Sequence, residues 1–597
     1  MAPFVKTDPY RSKNTEVPSL EKPPRYAYFG ELHVHTGLSP DAFVFNVRAT
    51  PDDAYRYAKG EAIEHVSGAM IQASKPLDFM AVTDHAEYMG VLPAMATPGH
   101  PLSKLELAKQ LISNKKSEVN KAFQKLVDST ANNQPIADLV EDSVLRSVWR
   151  QVVDAAERHY RPGEFTTFIA YEWSSMPESA NLHRNVIFRG NADQVPDKPF
   201  SAYDSNRPED LWDFLDESRS KGFEAMAIPH NSNVSDGRMF PLVDSLGEPI
   251  DAAYARQRSS NEPIVEMTQI KGTSDTHPLL SPNDEWSNFE ILEDLLGGEG
   301  RKGKISGSYV REALLNGLKF REQLGVNPYV FGLIGASDSH NASVPVEEDN
   351  YTGKMGIVDG TPEARRGGSS ISPHNYKYSA SGLAGVWAEE NTREAIYDAL
   401  KRRETFATSG PRISLQFYGG WEYDSSLAQT TNRIEVAESQ GVPMGRELTA
   451  RPESGVPNFL VVAMQDPDSA ALQRLQIVKG WLQDGIGHEQ VFDIACADGR
   501  QVDPQTHRCP SNDAGVNLAD CSITGNSGSA QLAQVWRDPS FDPDVSAMYY
   551  VRVLENPTCR WTTWDALYQG RELLTDVPPT IQERAWSSPI WYHPASD

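Results

Sequence analysis

Between residues 29 and 340 the chain repeatedly builds a short apolar run and finishes it with residues of the kind that bind metals. Phe29-Gly30-Glu31-Leu32-His33-Val34-His35 ends so, as do Leu77 to Asp84-His85, Phe165 to Glu172, Ala225 to His230 and Val330 to Asp338-Ser339-His340; His183 opens a further run. Such runs, bounded by turn residues, read as buried strands. In a strand, residues i and i+2 share a side, so His33 and His35 aim two imidazoles at one point, and Asp41 adds an oxygen donor nearby. Helical stretches separate the runs, among them Thr50-capped Pro51 to Ala58, Pro208 to Gly222 and Tyr309 to Gly325. Polar residues gathered at the C-terminal ends of strands that alternate with helices predict an α/β barrel whose post-strand loops carry the chemistry.

The rest of the chain divides around that core. Residues 1–24 read as an extended arm. Residues 25–411 hold the barrel, with a helical insertion over 92–165 (Leu105 to Val127, Leu139 to His159). Residues 341–385 are rich in Gly, Ser, Pro and charge and follow directly on His340, which suits a lid or substrate loop. Beyond residue 412 the runs Leu460 to Met464, Leu475 to Trp481 and Met548 to Leu554 are β-like, and a β-rich, sandwich-like C-terminal region over 412–597 is expected.

Composition sets outer limits. A net charge of −26 repels phosphate backbones and anionic lipid, so neither nucleic acid nor a membrane surface is an expected partner. No apolar stretch is long enough to insert in a membrane. A small-molecule substrate remains, with the oligomeric state open. Cys496, Cys509, Cys521 and Cys559 all fall in the last quarter, an even set among turn residues that predicts two disulfides of undetermined pairing. An oxidising compartment follows, periplasmic or secreted with a leader removed; four reduced thiols in a cytoplasmic protein is the alternative.

The candidates are then His33, His35, Asp41, Asp84, His85, Glu172, His183, His230, Asp338 and His340, including six of the 14 histidines. Packing alone does not account for so many, because buried imidazoles and carboxylates are costly unless paired or metal-bound. A multinuclear metal site is expected. At this point His-Val-His-Thr-x-x-Ser-x-Asp-Ala, Val-Thr-Asp-His, a strand-end Glu, two later histidines and a closing Asp-x-His resemble the polymerase and histidinol phosphatase (PHP) superfamily. The fuller text, including Tyr-Phe-Gly-Glu-Leu-His-Val-His-Thr, Ala-Thr-Ser-Gly-Pro-Arg-Ile and Glu-Asn-Pro-Thr-Cys-Arg-Trp, resembles one PHP-like family catalogued as a domain of unknown function.

The superfamily resemblance implies a distorted (β/α)7 barrel with two or three divalent metals. Carried onto this sequence, His33, His35 and Asp338 would bind the first metal and Glu172 would bridge it to the second. His183 and His230 would complete the second, and Asp41, His85 and His340 would hold a third. Asp41 stands where many members carry histidine, which hardens that site and leaves zinc, manganese or iron open. Asp84 is expected behind the ligands rather than among them. The amidohydrolase barrel also uses His-x-His, a bridging residue, two histidines and an aspartate, but Asp41, Asp84-His85 and His340 exceed its needs.

A hydroxide bridging two such metals would attack an electrophilic phosphorus or carbonyl centre. Glu172, His230 and Arg184 are the expected catalytic set, with Arg184 and Lys271 as candidates to hold an anionic group and His230 contested between ligand and leaving-group acid. A phosphoester hydrolase is the first expectation. A hydrolase of esters, amides or carbamates, or a metal-binding protein without turnover, are the alternatives. Several Arg or Lys converging on the metals would favour phosphate; an apolar cavity would favour the second class.

Overall fold

A computed structural model of the chain describes residues 23–594 apart from 112, 114, 297–299 and 368–373. The expected arm over 1–24 therefore lies outside the described residues as far as residue 22. The runs that end on metal-type residues do form strands: β1 (Tyr26–Glu31), β2 (Phe79–Ala81), β3 (Thr166–Trp173), β4 (Arg184–Phe188), β5 (Ala225–Pro229), β6 (Ile264–Gln269) and β7 (Gly332–Gly335). Two more, β8 (Leu383–Ala388) and β9 (Thr405–Thr408), follow the loop after His340.

Helices begin where the sequence supplies caps. Helix α1 (Pro51–Ala58) opens with Pro51 behind Thr50, which forms a reciprocal capping box with Asp53. The expected continuous helix from Leu105 is instead two, Glu106–Leu111 and α2 (Lys116–Ala131). Between them the Ser113 hydroxyl accepts from Lys115 N at 3.2 Å, the local side-chain bond by which serine competes with helical pairing. Helix α3 (Asp142–His159) packs Trp149 and Val152 against Tyr171 of β3 and Phe188 of β4. Burying one such large side chain contributes about 1.5–3 kcal/mol.

The strands run in a 12-stranded sheet and several smaller ones. β1, β2 and β3 are parallel neighbours, but β3, β4 and β5 are antiparallel. The stretch between Trp173 and Arg184 is too short for the crossover that a parallel neighbour needs, so the regular strand–helix alternation lapses there. β6 and β7 pair in parallel in a separate three-stranded sheet, and among the described residues no ladder joins β5 to β6. A parallel bridge between Val34 and Ser339 ties the segment after β1 to the segment after β7.

The C-terminal strands continue the large sheet. β9 pairs antiparallel with a strand at Arg584–Ser587, and the order runs on through Ala547–Glu555, Leu472–Gln483 and Ile486–Cys496. A four-stranded sheet including Ser414–Gly420, Asn458–Met464 and Gln531–Arg537 covers one face of this extension. Phe417, Phe459 and Val461 share a core with Leu475, Ile477 and Val551, so two sheets enclose one apolar layer here. A buried ion-pair network crosses from helix α4 (Val310–Leu324) to the extension. Arg311 meets Asp284 at 2.9 Å and Asp275 at 3.1 Å, Arg552 meets Asp284 at 2.7 Å, and the Tyr550 hydroxyl donates to Asp275 at 2.8 Å.

All four cysteines are paired at disulfide distance, Cys496 with Cys509 and Cys521 with Cys559, over sequence separations of 13 and 38. Chain-entropy arguments give such loops about 3 and about 4 kcal/mol. Protein unfolded without reductant should therefore show no free thiol on titration with a chromogenic disulfide; two or more reactive thiols per chain would contradict the pairing. No helix among the described residues is long and apolar enough to cross a membrane.

Candidate metal centre

The two strand ends that open the site are clamped by their own backbones. Asp338 N donates to His33 O and His35 N to Ser339 O, each at 2.8 Å, while Thr83 Oγ1 takes Val34 N at 3.1 Å. Leu32 and Val34 are buried in apolar packing, which turns the alternating His33 and His35 side chains to the other side. Asp338 itself has φ +57, a conformation costly for a side chain with a Cβ and one that often marks functional sites.

Glu172 lies at the middle of what these residues build. Its Oε1 is 2.6 Å from His183 Nδ1 and 2.9 Å from His230 Nε2. Its Oε2 is 2.9 Å from His85 Nδ1, 3.2 Å from His35 Nε2 and 3.9 Å from His33 Nε2. Asp338 Oδ1 stands 3.5 Å from His35 Nε2 and 3.6 Å from His33 Nε2. Asp41 Oδ2 reaches His340 Nε2 at 2.9 Å and His85 Nε2 at 3.6 Å. Three groups have ligand atoms mutually within 4.8 Å: His33, His35 and Asp338; His33, Glu172 and His230; and His35, His85 and His340.

Charge follows from these contacts. Burial alone would push the Glu172 carboxyl up, but the His85 and His183 imidazoles hold it well below the usual carboxylate range. Burial likewise opposes charge on Asp338 and is outweighed by Lys271 and Lys354. Burial pushes His183 down to about 4 and His340 to about 3, so both are neutral and free to act as ligands near neutral pH.

The donor set fits divalent cations. Ser39 Oγ gives its one proton to Asp84 at 2.7 Å, so in its 3.0 Å contact with His35 Nδ1 the imidazole is the donor. A neutral His35 then carries its lone pair on Nε2, facing a Glu172 oxygen. His230 Nδ1 has the Ile228 carbonyl at 3.3 Å, so its Nε2 lone pair also faces Glu172. Acceptors buried face to face repel unless a cation stands between them. In keeping with this, His33 Nε2, His35 Nε2, His183 Nε2 and Glu172 Oε2 are buried without a hydrogen-bond partner. His33 is braced from behind by Glu266, whose Oε1 is 2.8 Å from Nδ1, the carboxylate–histidine arrangement that orients metal ligands.

Of the residues expected from sequence, nine converge. Asp84 stands one step back, accepting from Thr36 N, Thr36 Oγ1 and Ser39 Oγ at 2.7 Å each and so holding the loop that carries His35. Arg184 does not meet the site. It follows His183 in sequence, so on β4 it points to the opposite face. There its Nε donates to Glu262 at 2.9 Å, in a buried network with Arg258 and Trp212. The expectation that Arg184 holds an anionic group is therefore corrected. Lys271 does reach the site, in contact with Asp338 Oδ2.

Lys354 is an addition that sequence reasoning missed. Its Nζ is 2.7 Å from Asp338 O, 3.2 Å from Asp338 Oδ1 and 2.9 Å from His340 Nδ1, and burial pushes it down to about 8. The one available signal was its place in the glycine- and charge-rich loop after His340. That loop is held by the C-terminal region. Tyr351 stacks on Trp561 at 4.4 Å, Asp565 accepts twice from Arg365 at 2.6 and 2.7 Å, and Arg560 donates to the carbonyls of Tyr376 and Tyr378.

Over residues 22–594 the chain matches the family described as Protein of unknown function (DUF3604), and it belongs to that family. A search of curated proteins finds no match. A solved structure from Bacteroides vulgatus ATCC 8482, described as a two-domain protein containing a predicted PHP-like metal-dependent phosphoesterase, is 10% identical to this chain. The alignment covers 88% of this chain and 90% of that one at a TM-score of 0.29, too low to carry the fold across.

Proposed function

We propose that this chain is a metal-dependent hydrolase of phosphoesters. The observation that carries the reading is the convergence of two lysines, Lys271 and Lys354, on Asp338 beside the histidine–carboxylate cluster. His33, His35 and Asp338 would hold one divalent cation, and Glu172 would share it with a second held by His183 and His230. Asp41, His85 and His340 would hold a third. Zinc, manganese and iron all suit this mixed nitrogen and oxygen set. When bound, such cations supply Lewis acidity and a water acidified towards neutrality.

The chain's own groups do the rest. The Glu172 and Asp338 carboxylates offset the repulsion between cations in a low-dielectric site. Lys271, expected for this role together with Arg184, and Lys354, which stands where Arg184 does not reach, would stabilise through their charge the negative charge that grows on phosphate oxygens. His230, with Nδ1 on the Ile228 carbonyl, is oriented as a ligand rather than as a proton donor to a leaving group. The scaffold is read as a distorted (β/α)7 barrel over 25–411, with the 92–165 insertion beside it and the β-rich part over 412–597. The two cysteine pairs favour an oxidising compartment, periplasmic or extracellular.

The test is a pair of substrate panels on protein of measured metal content. Phosphomonoesters and phosphodiesters should turn over, and Lys354→Met should lower kcat/KM on them by about 10–100-fold with metal content unchanged. Turnover of carboxyl esters alone, or no effect of Lys354→Met on phosphoesters, would overturn the reading.

A further inference from the structure

The C-terminal strands build a cavity that shares no residue with the candidate metal centre and that the hydrolase reading does not use. Lys479, Trp481 and Gln483 lie two residues apart on one face of the strand Leu472–Gln483. The neighbouring strands place Gln490 and Tyr549 across from Lys479. With Phe541 and Asp542 from the loop that precedes the strand Ala547–Glu555 they line a cavity of about 280 Å³. That is close to the lower end of the range for small-ligand pockets, about 300–1,000 Å³.

The chemistry of the lining narrows the ligand by elimination. The lysine cation is already spent: Lys479 Nζ is 2.6 Å from Asp538 Oδ2 and donates to Ser540 O at 2.9 Å. No free cation is left here to attract an anionic ligand. A cationic ligand is no better served, because the Lys479 ammonium, 5.3 Å from the Trp481 ring and 5.9 Å from the Tyr549 ring, would repel it. What stays available is neutral. The Trp481 indole is stacked on His488 at 5.5 Å and only half-buried. Among the described residues the Trp481 Nε1 and the side-chain amides of Gln483 and Gln490 have no hydrogen-bond partner. Asp542 accepts from Asp544 N through one carboxylate oxygen only.

The exposed part of the Trp481 indole, beside the amides of Gln483 and Gln490, matches a pyranose. Its ring C–H groups pack on an aromatic face. Its adjacent hydroxyls, each both donor and acceptor, pair with planar amides and a carboxylate that offer both functions. The geometry points to a binding site for a neutral saccharide of one or two rings, separate from the metal centre.

Saturation-transfer difference NMR on the full-length protein tests this, using cellobiose, maltose, lactose and mannobiose, with glucuronic acid and choline as charged controls. At least one neutral disaccharide should give a saturable signal. Trp481→Ala should abolish it and Gln490→Leu should weaken binding about tenfold. Metal content and phosphoester turnover should be unchanged in both, which separates this inference from the proposed hydrolase activity. Gln490→Leu serves as the readout if Trp481→Ala does not fold. The inference is overturned if no neutral disaccharide binds, if binding survives both substitutions, or if only a charged control binds.

Discussion

Glu172→Gln will fold and will hydrolyse at least about 100-fold more slowly than the native chain, with one metal lost or weakly held. The size is that of removing a preorganised electrostatic element. The change keeps the shape of the side chain and deletes its charge. In the native chain that one carboxylate lies within reach of five imidazoles, those of His33, His35, His85, His183 and His230. No other acid in the cluster touches so many. Folding should survive because β3 is anchored by its apolar residues, Phe168, Ile169, Ala170 and Tyr171, rather than by its polar end. Metal analysis and rate, on one preparation, decide the matter. Full occupancy with full rate would show that Glu172 is not shared between cations, and Glu266, already beside His33, would be the next carboxylate to test.

The second large effect is on stability. Arg311 is fully buried and serves Asp275, Asp284 and the Tyr550 hydroxyl together. Burial would push the Asp284 carboxyl up, but Arg552 and Arg311 hold it far below the usual range. Arg311→Met leaves Asp275 and Asp284 with one guanidinium, Arg552, where there were two. Breaking a buried pair from one side costs about 3–5 kcal/mol, more than the pair itself is worth, because the remaining charge stays desolvated. The first denaturant transition should move to markedly lower concentration while metal content in the folded state stays the same. An unshifted midpoint would mean that the network is stabilised by solvent or by rearrangement of Arg552.

The residues of the candidate metal cluster were legible because period-2 alternation and strand-end placement are local signals. His33 and His35 share a face by geometry alone, and each later run declares its own polar end. What depended on partners far away in sequence was not legible. Arg184 sits beside His183 in the text, yet adjacency along a strand means opposite faces in space. Lys354 has no distinguishing neighbours and acquires its place through Asp359, which accepts from Lys354 N at 2.9 Å, and through contacts with residues two hundred positions later. The antiparallel run β3–β4–β5 and the continuation of the sheet from β9 into the C-terminal strands are registers between distant segments, and no periodicity encodes them. The gap between Leu111 and Lys116 could have been suspected from Ser113 and Asn114, residues that prefer caps to helix interiors.

The grip of Arg560, Trp561 and Asp565 on the loop that carries Lys354 has a consequence in time. The chain emerges from the ribosome from its N-terminus, so His33 and His35 are made well before Arg560, Trp561 and Asp565, which fix the loop of Lys354. A nascent chain can therefore display most of the candidate metal ligands before it can complete the cationic side of the proposed site. On the proposed role of Lys354, a chain stopped short of Cys559 would lose both the clamp and the Cys521–Cys559 link beside it. Synthesis thus carries its own order: the proposed site is complete only once Arg560, Trp561 and Asp565 have been made and have docked.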